Sequence, residues 1–126
     1  MDSLMLAGTA GFDLDHLCRL IPADLNSEVQ EKVGDLRLLM LSKENQFVAQ
    51  LQPCDEEEDE DTREDLRRIS DPPPEFADAL GTGQLRFLIV TYAPDQRPIL
   101  QRVIDALAQS GVVHFVCNDD IQVLTP

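Results

Sequence analysis

Two histidines, three cysteines and a run of carboxylates are the side chains of this 126-residue chain best equipped for chemistry, and their spacing limits what each can do. His16 and Cys18 form H-x-C, but residues i and i+2 of a helix do not face one another, so the pair cannot share a metal ion there. His114 and Cys117 are three apart in a strand-like segment, an odd separation that sends them to opposite faces. A zinc site would need a tertiary coincidence of dispersed ligands. Cys54 directly precedes seven consecutive carboxylates, Asp55, Glu56, Glu57, Glu58, Asp59, Glu60 and Asp61. Their field disfavours the thiolate, the charged form, and so argues against a nucleophilic cysteine.

No G-x-S-x-G, Walker loop or G-x-G-x-x-G is present. Gly81-Thr82-Gly83 is too short for a phosphate cradle and reads as a turn, and the acidic run lacks the D-x-D-x-D-G spacing of a calcium loop. Arg67-Arg68-Ile69-Ser70 has the R-R-x-S form of a basophilic kinase site, pointing to Ser70. The sequence therefore predicts a protein without catalytic, cofactor-binding or metal-ligating residues, and the candidate site falls on the seven carboxylates as a partner-binding surface.

Charge sets the partner. The net charge is −14. Half of it lies in residues 55–71, where ten acids meet only Arg63, Arg67 and Arg68. Such a surface repels phosphate backbones and anionic lipid, which excludes ordinary nucleic-acid and membrane binding and favours a basic protein partner. Three cysteines without a C-x-x-C indicate free thiols. The start, MDSLMLAGTAGF, lacks the basic segment of a signal peptide, and no stretch has the length of a membrane span. The expectation is a cytoplasmic protein. A hydrophobic fraction of 43% suffices for one core, and that core must be aliphatic, with five Phe, one Tyr and no Trp.

The elements that would position the carboxylates are read from periodicity. Residues 1–11, small and Gly-rich, predict a flexible arm. Leu14, Leu17, Cys18 and Ile21 make one helical face. Ser27 and Gln30, spaced as a capping box, with Leu25, Val29 and Val33 and a closing Gly34, predict that the helix resumes after Pro22. Residues 35–53 predict a β-hairpin, with Leu36, Leu38 and Met40 on one face of its first strand and Phe47, Ala49 and Leu51 on one face of its second, turning at residues 42–45. Residues 55–74 predict a mobile acidic loop, anchored by Leu66 and Ile69 and stiffened by Pro72, Pro73 and Pro74. Within it Thr62 has the spacing to cap a short helix. A short helix with Phe76 over Leu80 should end at Gly81. QLRFLIVTY reads as a central strand covered on both faces, residues 94–110 as the most regular helix, and VVHFVCNDDIQVL as two strands around Asn118, Asp119 and Asp120.

The sum is one small α+β domain over residues 1–126: an N-terminal helix, a β-hairpin and then β-α-β-β on a mixed or antiparallel sheet of about five strands. Over residues 13–125 this element order resembles the α-β-β-β-α-β-β order of the small acidic type III secretion chaperones, without a shared motif or that family's closing helix. The resemblance implies fold order only. Three function classes remain: a non-catalytic binder of a basic protein, of immunity, inhibitor or chaperone type; a nucleic-acid mimic that occupies a DNA-binding protein; and a small enzyme with an unrecognised site. Two adjacent apolar strands, QLRFLIVTY and VVHFVC, also suggest a homodimer through an uncovered edge.

Overall fold

The computed structural model describes residues 1–9, 12–31, 37–118 and 120–124. These residues make a three-layer α+β domain, and the seven strands among them form a single sheet with every pair antiparallel. The expected class holds. The strand count and the order of elements differ from the sequence reading in four places.

The first difference is the N-terminus. Strand β1, Asp2–Gly8, replaces the expected arm and lies in the interior of the sheet. Leu4 and Leu6 are buried on one face, while Ala7 is buried on the other. Gly8 is there for closeness, because a Cβ at that position would collide with the carbonyl of Val112. Asp13 then caps helix α1, Leu14–Leu20, by accepting from the Asp15 N–H at 3.0 Å, and α1 buries Leu14 and Leu17.

The second difference follows Pro22. Instead of resumed helix the chain forms strand β2, Asn26–Glu31, so Ser27 and Gln30 cap nothing. Leu25, Val29 and Val33 are four apart, and an even spacing also places residues on one face of a strand. Leu25 is buried, and Val29 packs on the core opposite Leu39. Val33, Gly34 and Leu36 lie outside the described residues.

The hairpin is present as β3, Arg37–Lys43, and β4, Gln46–Pro53. Its turn is the two residues Glu44 and Asn45, both with positive φ (53° and 65°), the geometry that matches strand twist in a tight hairpin. In β3 the face toward the larger core is that of Leu39 and Leu41 rather than that of Leu38 and Met40, although Leu38 is buried as well. In β4 Ala49 and Leu51 share the larger core as expected, and a register shift after Leu41 adds Val48 to it. Met40 and Phe47 are only partly buried.

The third difference is the acidic segment. Residues 55–74 are not a loop. They form helix α2, Glu56–Arg67, then a short connection and the start of helix α3, Pro74–Thr82. Like charges repel along α2, but their placement favours a helix. Asp55 accepts from the Glu58 N–H at 2.8 Å, and Glu58 accepts from the Asp55 N–H at 3.2 Å. Glu56, Glu57 and Asp59 join Glu58 in the first turn, at the positive end of the helix dipole, with Arg67 in the last. Pro74 opens α3, whose end is set by Gly83 (φ 73°) rather than Gly81.

Strand β5, Arg86–Tyr92, a 3-10 turn at Pro94–Gln96, helix α4, Arg97–Gln109, and strands β6, Phe115–Cys117, and β7, Ile121–Val123, complete the chain as the periodicity predicts. The strand order is β2-β3-β4-β5-β1-β6-β7. Hence the fourth difference: β1 separates β5 from β6, which run parallel but do not pair. The element order implied by the chaperone resemblance does not hold either, since a strand precedes α1 and two helices separate β4 from β5. One face of the sheet carries α1 and α4 over the larger core. The other carries α2 and α3 over a smaller one built on Phe76, Phe87 and Phe115. Among the described residues no helix is long and apolar enough to cross a membrane.

Candidate interaction surface

Helix α2 turns one side to the smaller core through Asp59, Thr62, Arg63 and Leu66, of which only Leu66 is buried. Arg63 is the anchor. Its side chain is 12% exposed, its Nε donates to Asp59 at 2.7 Å, and its guanidinium lies 5.3 Å from the centre of the Phe87 ring. An Nη donates to the backbone carbonyl of Leu85. The other, Nη1, is buried with no protein partner.

This geometry divides the seven carboxylates expected to bind a partner. Asp55 and Glu58 close the capping box, and Asp59 holds Arg63, so three of the seven serve the helix itself. Glu56, Glu57, Glu60 and Asp61 are exposed, as are Glu64 and Asp65, which lie beyond the consecutive run. Glu57, Glu60, Asp61 and Glu64 stand at i, i+3, i+4 and i+7, one outward stripe of about 10 Å at the helical rise. Counting consecutive acids could not find that stripe. The signal was the helical spacing of Arg63 and Leu66 on the other side.

Cys54 lies at the head of α2, half-buried, and its thiol is pushed up to about 11, first by burial and then by the carboxylates of Glu58, Asp59 and Asp55. Desolvation is thus a larger cause than the neighbouring carboxylates visible in the sequence. A shallow pocket of about 450 Å³ beside Cys54 mixes charges, with Asp55 and Asp59 against Arg63, Arg67 and Arg86. Cys117 is buried in the smaller core, where desolvation pushes its thiol up to about 12. Cys18 is half-buried against the larger core and His16 is exposed. His114 sits 3.3 Å from the Thr9 hydroxyl. Ser70 is exposed in the connection between α2 and α3. Among the described residues no three His, Cys, Asp or Glu side chains are grouped to hold a metal ion.

A second ionic centre has the opposite character. Asp24 accepts from Arg102 of α4 at 2.7 and 2.9 Å and from Lys43 of β3 at 3.4 Å, tying β3, α4 and the turn before β2 together. Those cations, Arg102 above all, hold its carboxyl well below the usual range.

No protein-family model matches the chain, and comparison with curated proteins and with solved structures likewise finds no match.

Proposed function

We propose that the protein is a non-catalytic binder of a basic protein, of immunity, inhibitor or chaperone type, and that the outward side of α2 is its docking surface. The observation that supports this most is the stripe Glu57, Glu60, Asp61 and Glu64, exposed on a helix that is capped and anchored from its other side. A rigid row of charges presents a defined potential at little entropic cost on binding, and complementary charge mainly accelerates encounter. The test is capture from a native lysate by the wild type and by a variant with these four residues changed to glutamine. The reading requires a protein that the wild type retains and the variant loses, with an association rate that falls with salt. Retention of the same proteins by both would end it.

The nucleic-acid-mimic reading gains one specific support. Mimicry needs ordered charges at repeating spacing, which a mobile loop would lack and α2 supplies. Duplex DNA separates the two readings: it displaces a partner held by mimicry and leaves any other partner in place. Homodimerisation loses its first rationale, because β5 and β6 are each paired on both sides. Among the described residues β2 and β7 end the sheet, and sedimentation at micromolar concentration measures whether either of them pairs with a second copy.

A further inference from the structure

The two ends of the sheet differ. Strand β2 carries Glu28 and Glu31, exposed charges of the kind that discourage edge pairing. Strand β7 carries Val123, 39% exposed and, with Met1, one of two large apolar side chains exposed among the described residues. The N–H of Leu124 donates to the His114 carbonyl at 2.8 Å and that of Asn118 to the Asp120 carbonyl at 2.9 Å. The alternation of an antiparallel ladder then turns the N–H and C=O groups of Ile121 and Val123 away from β6, toward the open edge.

Beside that edge runs a groove of about 330 Å³, with Glu75 and Ala79 of α3 on one side and Phe115, Val123 and Leu124 on the other. Val123 is opposite Phe115 and Ile121 opposite Cys117, on the sheet face that α3 covers. A strand added outside β7 would therefore set alternate side chains along α3 and the remainder beside the exposed Gln122. We propose that the β7 edge and the α3–β7 groove accept an extended segment of a basic protein as an eighth strand, with an apolar side chain of that segment in the groove.

Charge selects this occupant. Glu75 lines the groove with His114 and with no lysine or arginine, and Asp78 and Asp120 are exposed nearby in sequence. A second copy would gather Glu75, Asp78 and Asp120 of two chains, each of net charge −14, around one shared edge. Lysine or arginine flanking an apolar residue removes that conflict, while the free N–H and C=O groups supply backbone affinity. The inference rests on the reading of the protein as a binder of a basic partner, and it adds a second contact, distinct from α2.

The test uses an alternating lysine–valine hexapeptide as the probe, titrated into the full chain and followed by amide chemical shifts. Changes are expected at Ile121, Gln122, Val123 and Leu124, with Phe115 and Ala79. Val123→Pro removes an outward N–H that the β6–β7 ladder does not use, a position where an edge strand tolerates proline. It should weaken the peptide about tenfold while thermal unfolding is unchanged. Should that variant fold poorly, Ala79→Arg, which fills the groove, carries the same expectation. A peptide methylated on its valine nitrogens should lose affinity similarly. Equal binding by the methylated peptide, or by a folded Val123→Pro chain, overturns the proposal. So do the absence of shift changes, changes confined to α2, or self-association that moves the same amides without peptide. The variant with glutamine at 57, 60, 61 and 64 should keep the groove shifts, so a failure of α2 docking and a failure of the groove are read separately.

Discussion

Helices α4 and α2 cover opposite faces of one sheet, and they exist for different reasons. Helix α4 buries Leu100, Val103, Ile104 and Leu107 completely and joins the larger core on one side. Its helicity is the kind that tertiary packing of an apolar stripe supplies. Helix α2 buries only Leu66, and its twelve residues are at the length where an isolated helix is marginal in water. It is held by a capping box and acidic residues at its start and by a single arginine lying over Phe87. A helix that owes so little to its own apolar surface can leave six carboxylates in solvent, which is what a docking surface requires.

The largest effect expected from breaking this contrast is in the α4 core. Ile104→Ala empties a fully buried site and should cost about 2–5 kcal/mol in urea unfolding. Arg63→Met comes next. It leaves the Leu85 carbonyl without its guanidinium and releases Asp59, for about 1–2 kcal/mol. Hydrogen exchange should show the loss concentrated in α2, and equal deprotection of α4 would contradict the division of roles. Asp55→Ala removes the N-cap and should cost about 1 kcal/mol, with Asp55→Asn restoring most of it.

Asp24→Asn should have a smaller effect, because the Asp24–Arg102 pair is exposed and screened. Its pH dependence is diagnostic. The folded carboxyl lies below its ordinary value of 3.8, so its contribution is complete above that pH and is lost as pH falls further. The wild type and the variant should therefore converge in stability below about pH 4. A gap that persisted unchanged under acid would mean that the Asp24 charge is not its source. The smallest effect is expected on the exposed side of α2. Glutamine at 57, 60, 61 and 64 should change stability by less than about 0.5 kcal/mol per site. The sign should be stabilising at low salt, where like-charge repulsion is greatest. A large loss there would place these carboxylates in the fold rather than on its surface.

The parts of this protein legible in its sequence are those where one local signal has a single solution. The stripe Ile99, Leu100, Val103, Ile104 and Leu107 fits a helix and nothing else, and the apolar run of β5 fits a strand covered on both faces. The hairpin was legible because two apolar runs bracket a short polar turn. Residues 2–8 gave no such signal: a short strand ending in small residues is stable only because β5 pairs with it on one side and β6 on the other, nearly eighty residues or more away in the chain. Residues 26–31 carried an apolar spacing of four, which helix and strand share, and pairing with β3 chose between them. In the acidic segment the charge was plain from composition, and its surface role was expected from that alone. Which carboxylates face outward depends on the phase of α2, and that phase is fixed by Arg63 reaching Leu85 and Phe87, more than twenty residues away. Local periodicity reports only what neighbours in sequence can enforce; strand pairing and the docking of a polar helix depend on distant contacts that leave no periodic trace.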